Sequence, residues 1–261
     1  MTDDVVDYTK LLRLDGKGFV VLGAGNGIGV ATSRALASAG AKVFCVDIDK
    51  DLAEKIAKEV DGFAGVGDLT NSDDVARLFA EAEQKLGQID GLADIVGIAS
   101  FHRIHEFSDE DYDWQDKMVA RQAFYAVRAA APYLEKAGGG SMVFIASTSG
   151  LSSAPNQILY GMSKAAVMSM MRSAAVELGP KGIRVNTVSP GATKTPRIAA
   201  YTEVIEENIR RTPLRKVGEV SDIASAILFL SSPLAGHISG QNLTVDGAIT
   251  QVSAIPGPGE V

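Results

Sequence analysis

Ser147, Tyr160 and Lys164 have types and spacing suited to moving a proton to or from an oxygen atom. Tyr160 and Lys164 are four residues apart, so on a helix they share one face. A lysine cation beside a phenol favours the phenolate, bringing a pKa near 10 toward the working pH and making the tyrosine a usable general base. A serine hydroxyl can then hold the substrate oxygen. Such a pair is also common on solvated helix faces, so it gains meaning from a second cluster near the start of the chain. There an apolar run ends in Gly23-Ala24-Gly25-Asn26-Gly27-Ile28-Gly29, and a helical pattern begins inside it. Glycine lets the turn and helix N-terminus approach a pyrophosphate, whose charge is favoured by free N–H groups and the helix dipole. The next apolar run ends in Asp47, placed to accept hydrogen bonds from both hydroxyls of an adenosine ribose. That carboxylate repels a 2′-phosphate. With no arginine or lysine in the turn and Ile48 following, the expected cofactor is NAD rather than NADP.

The elements that must position these groups are legible as an alternation. Short β-branched runs at 18–22, 42–46, 62–66, 91–96, 141–146, 184–188 and 242–245 predict seven strands. Helical periodicity fills 27–39, 49–59, 71–86, 109–137, 159–178 and 220–230 between them. This predicts an α/β chain: a three-layer, doubly wound Rossmann fold with a seven-stranded parallel sheet, one domain over residues 1–261. The segment 193–213, with Pro196 and Pro213, is longer than most connections and is expected to be a mobile lid. The tail at 253–261, rich in proline and glycine, is expected to be irregular.

Composition narrows the function classes. The chain has 261 residues, 46% hydrophobic and 22% charged, as expected of a packed protein. Its 25 basic and 32 acidic side chains give −7, which offers no basic field to nucleic acid or an anionic membrane. Cys45 has no partner for an internal disulfide and sits in an apolar run, suggesting an inert core thiol and a cytoplasmic protein. Neither a signal peptide nor a membrane span is read.

Taken together, the motifs resemble those of the short-chain dehydrogenase/reductase family, over nearly the whole chain from Leu14 to about Ala248. Gly23-x-x-x-Gly27-Ile28-Gly29 is similar to its cofactor turn, Asp68-Leu69 to its adenine-contacting acid, and Ser147 with Tyr160-x-x-x-Lys164 to its catalytic core. Asn186-x-x-x-Pro190-Gly191 and Thr193, with Thr195 beyond, resemble the segment holding the nicotinamide carboxamide, and Gly97 matches the glycine after the fourth strand. Gly240 to Gly247 resembles the closing strand, with Ala248 where a second glycine is usual. The resemblance implies hydride transfer between a nicotinamide and a carbinol carbon, with Tyr160 as acid/base, Ser147 polarising the oxygen and Lys164 binding the nicotinamide ribose. It also implies packing of the two longest helices into a homodimer or homotetramer.

Two positions depart from the family. Asp94-Ile95-Val96-Gly97 stands where Asn-Asn-Ala-Gly is usual, and Asp94 accepts hydrogen bonds but cannot donate as an amide does. In the long helix, the asparagine that holds a relay water is replaced by Val119 or, counting from Trp114, by Arg121. A water site built from backbone carbonyls is one substitute; a cofactor-binding regulator with little turnover is another outcome. A reductase of carrier-bound 3-oxoacyl groups is a further alternative, although Arg103, Arg197, Arg210 and Arg211 are scattered as a docking site. His102-x-x-His105 lacks a strong metal-ligand spacing and reads as loop polarity, with His102 near enough to the expected ligand edge to touch substrate. No metal is expected. Ile98, Ser149, Leu151 and Ala192, with Phe101, Ala154, Leu159 and Ile198, are expected to line a mostly apolar substrate pocket.

Overall fold

The computed structural model describes residues 6–199 and 202–252. Strand β1 (Gly18–Leu22) feeds helix α1 (Gly27–Ser38), and the same alternation continues through β2 (Lys42–Asp47), α2 (Lys50–Glu59), β3 (Phe63–Val66), α3 (Ser72–Leu86) and β4 (Gly91–Asp94). The second half contains α4 (Asp109–Asp116), α5 (Gln122–Lys136), β5 (Gly140–Ile145), α6 (Ile158–Leu178), β6 (Ile183–Pro190), β7 (Thr193–Lys194), α7 (Pro196–Ala199), α8 (Thr202–Arg211), β8 (Gly218–Glu219), α9 (Val220–Ser231) and β9 (Asn242–Val245). Seven strands form one parallel sheet in the order β3-β2-β1-β4-β5-β6-β9, and β7 pairs with β8 separately.

Burial explains why the strands read as continuous apolar runs. All five residues of β1 are buried, because helices cover both faces of the sheet. One core, around Phe44, Phe79, Leu92 and Phe144, lies toward α3, α5 and α6; the other, around Phe19, Leu36, Val143 and Ile227, lies toward α1 and α9. Several helix starts are fixed by short polar side chains. Asn71 accepts from the backbone N–H groups of Asp73 and Asp74 at α3, and Ser108 forms a reciprocal capping box with Asp111 at α4. The strand order reverses beside β1, with β2 on one side and β4 on the other, so a crevice opens at their C-terminal ends.

Three expectations are modified. The run predicted as a strand to residue 96 leaves the ladder after Asp94, although Ile95 N–H still bonds the Leu22 carbonyl. The predicted 109–137 helix contains a π-helical stretch, Lys117–Arg121, between α4 and α5; a one-residue widening does not disturb apolar periodicity enough to be read from sequence. The 193–213 segment contains β7, α7 and α8. The 253–261 tail lies outside the described residues. Ala248 adopts φ 71, the left-handed conformation in which a glycine would be free of the Cβ penalty.

Candidate active site

The crevice beside β1 is a cleft of about 400 Å³. Its wall is the glycine turn. Gly23 has φ +74, and a Cβ on Gly29 would overlap the Gly23 carbonyl oxygen and stand 2.9 Å from Ala24 Cα. The turn therefore has no room for side chains where backbone must face a ligand. Asp47 holds it from the end of β2: its Oδ2 accepts from Gly25 N–H at 2.9 Å and its Oδ1 from Asp49 N–H at 3.1 Å. Asn26, Gly27, Ile28, Ile48, Asp68, Leu69, Gly97, Ile98 and Thr195 also border the cleft. Ile48 is strongly exposed, and Asp68 is turned toward Thr70, whose N–H and hydroxyl it accepts. A narrow, side-chain-free turn at a helix start, with a carboxylate at the neighbouring strand end, fits a dinucleotide.

The structure does not gather all the predicted cofactor residues at this surface. Gly29 packs beneath the turn. Pro190 ends β6, Gly191 packs against Asp246, and buried Thr193 donates its hydroxyl to the Gly191 carbonyl. Asn186 is a clamp between strands, donating to the Ile238 carbonyl and accepting from Gln241 N–H. The predicted substrate residues also separate. Ser149 and Leu151 border a second cleft of about 470 Å³ over the start of α6, whereas Ile98 borders the first. The Ala192 carbonyl accepts from Gly218 N–H, and Leu159 is in the core. The second cleft mixes Ile104, Leu151 and Met162 with His102, Asn156 and Gln157, so it is less uniformly apolar than the sequence suggests. His102 is exposed, edge-on to Phe107, with its Nε2 4.0 Å from Asp111.

Ser147 follows β5 and accepts from Ser149 N–H at 3.1 Å, which fixes its hydroxyl at the head of a 3-10 turn. Tyr160 and Lys164 lie on the first turns of α6, Tyr160 partly buried and Lys164 1% exposed. Burial raises the Tyr160 phenol above its usual range, against the opposing pull of a hydrogen bond with Ser147 and the charge of Arg197. Lys164 is not among the groups that act on this phenol here. The Lys164 ammonium donates to the Ile145 carbonyl at 2.8 Å and stands 5.9 Å from the Tyr160 ring centre. Burial pushes Lys164 down to about 8 and the nearby Asp94 up to about 6, and each charge partly offsets the penalty on the other.

Two glutamines unnoticed in the sequence organise this region. Gln115, fully buried, accepts from the N–H and hydroxyl of Ser100 and donates to the Ile98 carbonyl, each at 2.9 Å. Gln122, 1% exposed, donates to Asp94 Oδ2 at 2.7 Å. Their seven-residue spacing on the apolar face of a helix was the available signal. Of the two candidates for the missing asparagine, Val119 is buried beside Gly97, while Arg121 is exposed and pairs with Asp116 at 2.7 Å. Neither supplies an amide.

Residues 23–250 match the family described as enoyl-(acyl carrier protein) reductase. The chain belongs to the short-chain dehydrogenase/reductase family. It is 33% identical over 244 residues to 3-oxoacyl-[acyl-carrier-protein] reductase of Thermotoga maritima, covering 91% of this chain and 99% of that one. It is 35% identical over 257 residues to 7α-hydroxysteroid dehydrogenase of Escherichia coli K12, covering 92% and 96%. A solved 7α-hydroxysteroid dehydrogenase, in complex with NADH and 7-oxo glycochenodeoxycholic acid, superposes with TM-score 0.90 at 34% identity, covering 93% and 97%. A gluconate 5-dehydrogenase from Burkholderia cenocepacia, in complex with NADP and tartrate, gives 0.89 at 27% identity, covering 95% and 100%. The relatives are oxidoreductases, and those two structures hold different nicotinamide cofactors. Among the described residues no helix is long and apolar enough to cross a membrane.

Proposed function

We propose that this short-chain dehydrogenase/reductase is an NAD(H)-dependent alcohol dehydrogenase or ketone reductase acting on a secondary alcohol or ketone. The observation that carries this reading is the placing of Tyr160 and Lys164, on one face of α6, between the two clefts: Gly161, beside Tyr160, borders one, and Gly97, against Lys164, borders the other. A bound nicotinamide supplies the hydride acceptor or donor. The chain's own residues do the rest. Ser147 holds the carbinol oxygen, and Tyr160 takes its proton during oxidation and returns one during reduction. Lys164 would hold the nicotinamide ribose and bring its charge to bear on the phenol. Asp47 would receive the adenine ribose, Gly23, Asn26, Gly27 and Ile28 would form the pyrophosphate turn with Gly29 packed beneath it, and Asp68 and Leu69 would flank the adenine. Gly97 and Thr195, which border the cleft, would face the nicotinamide end, with Pro190, Gly191 and Thr193 shaping the backbone behind them.

NAD is favoured over NADP because Asp47 and apolar Ile48 form the ribose end of the cleft. Thr195 and Arg197, from the 193–213 segment, border the same cleft, which suits a lid closing over cofactor and substrate. The substrate would carry an apolar ring or chain against Leu151 and Met162 in the second cleft, with a polar substituent near Ser149. The assembly is a homodimer or homotetramer built on α5 and α6, whose Phe124, Met162 and Val176 are exposed in the single chain; light scattering of a monomer would remove it. The protein is cytoplasmic, which cell fractionation tests.

NADH formation across cyclic, aromatic and aliphatic secondary alcohols, with NADP+ run in parallel, tests the reaction. Turnover lost in Tyr160→Phe supports it. Tight NADH binding without turnover would instead favour a regulatory protein, the reading that Val119 in place of the relay asparagine supports. Activity confined to carrier-bound 3-oxoacyl groups would favour the second alternative.

A further inference from the structure

Lys164 is a buried cation with few neighbours able to satisfy it. Among the described residues its ammonium has one short acceptor, the Ile145 carbonyl at 2.8 Å, and one long one, the Val96 carbonyl at 3.5 Å. The helix packed across from it contributes apolar Val119, 1% exposed, rather than a polar group. A buried ammonium without a counter-charge tends to deprotonate.

The compensating charge comes from β4. Asp94 is 2% exposed, and its two oxygens are held separately: Oδ1 accepts from Val96 N–H at 3.1 Å and Oδ2 from Gln122 at 2.7 Å. Both donors favour the ionised carboxylate. Asp94 and Lys164 meet on one residue: the Val96 N–H donates to Asp94 Oδ1, and the Val96 carbonyl lies 3.5 Å from the Lys164 ammonium. We propose that Asp94, fixed by Gln122, is a positioning residue that keeps Lys164 protonated in a site whose long helix supplies no hydrogen-bonding side chain to it. This rests on the proposed oxidoreductase chemistry only for its catalytic consequence; the pairing itself is a property of the ligand-free chain.

Other charged groups near the site are accounted for. Tyr160 stands one turn along α6, Arg197 acts on Tyr160 from the exposed segment after β7, and Arg121 pairs with Asp116 away from the site. Gln122 and Val119 are neutral. Asp94→Asn removes the charge while keeping the hydrogen bonds, because Gln122 can turn its carbonyl to the new amide while the Asn carbonyl still accepts from Val96 N–H.

The first test needs no turnover. In protein labelled with carboxyl-13C aspartate, the Asp94 resonance, assigned by its loss in Asp94→Asn, is followed with pH. Its midpoint should rise by about one unit or more in Lys164→Met, from loss of the opposite charge, and also in Gln122→Met, from loss of the donor. An Asp94 midpoint unmoved by Lys164→Met overturns the pairing. The second test is kinetic. The rising limb of kcat for alcohol oxidation should move up by about one pH unit in Asp94→Asn with KM for substrate little changed, since the lysine then loses its proton earlier and supports the phenolate less. A limb coincident with wild type overturns the positioning role, and Asp94→Glu should not restore the profile fully because Gln122 fixes the carboxylate geometry. If no variant, wild type included, turns over alcohol, the proposed reaction fails and the carboxyl titration alone decides the pairing. Unchanged melting and circular dichroism in Asp94→Asn establish that a shift reports charge rather than misfolding.

Discussion

Replacing Gln115 by methionine should loosen the loop between β4 and α4 without disturbing the sheet. The side chain has similar volume but loses three hydrogen bonds: two acceptor contacts from Ser100 and one donor contact to Ile98, each 2.9 Å long. At about 1 kcal/mol net for each, the loss is ~3 kcal/mol; partial exposure of Ser100 and Ile98 lets water replace some of it and sets the lower end near ~2 kcal/mol. For a protein of this size each kcal/mol lowers Tm by about 2–4 °C, so a drop of roughly 4–12 °C is expected. Ile98 and Gly97 border the cleft beside the glycine turn, so if a dinucleotide binds there part of the ordering now supplied by Gln115 must be supplied on binding. If that part is ~1 kcal/mol, NADH binding weakens about fivefold. Urea unfolding with an unchanged slope, calorimetric Tm and fluorescence titration of NADH measure the three quantities. A Tm within ~2 °C of wild type, with unaltered NADH affinity, would refute the view that this glutamine fastens the loop.

Gly29→Ala should abolish NADH binding and lower Tm by more than ~5 °C, since the added methyl meets the Gly23 carbonyl and Ala24 Cα rather than a flexible side chain; binding at wild-type affinity would refute the close-approach argument. Asp47→Ala should raise KM for NAD+ about tenfold or more and narrow the preference over NADP+, as steady-state assays with both cofactors would reveal, because it removes the acceptor for Gly25 N–H and the repulsion of a 2′-phosphate. Burial pushes the Cys45 thiol up to about 11, so Ellman's reagent at pH 8 should label it only after unfolding. The same shift fixes a sign: the folded pKa exceeds the unfolded one, so the stability it contributes is complete below about pH 9 and is lost as pH rises through about 11. Over that interval the stability of wild type relative to Cys45→Ala should fall by about 1–3 kcal/mol, measured by urea unfolding; a flat difference would refute it.

The strand runs, helix periodicity, glycine turn and the Ser147, Tyr160 and Lys164 spacing were all legible in one dimension, because burial on both faces of a parallel sheet and close approach of backbone to ligand restrict residue type locally. Asp47 was legible for the same reason: it ends a strand a fixed distance after the turn. The sequence also marked Asp94 and Val119 as departures, and it left open whether Val119 or Arg121 faced the site. Tertiary structure decided that, since the choice depends on the rotation of a helix through the π-helical stretch at Lys117–Arg121. Only the packed chain reveals that Lys164 turns to the Ile145 carbonyl, that Asp94 shares Val96 with it as a backbone partner and that burial raises the Tyr160 phenol. Spacing places two side chains on one face, but the sign and size of a pKa shift depend on desolvation and on charges brought from β4, α5 and the segment after β7, elements distant in sequence. Local pattern therefore determined the scaffold and the candidate reacting groups, whereas the electrostatic balance among those groups arose from contacts that exist only after folding.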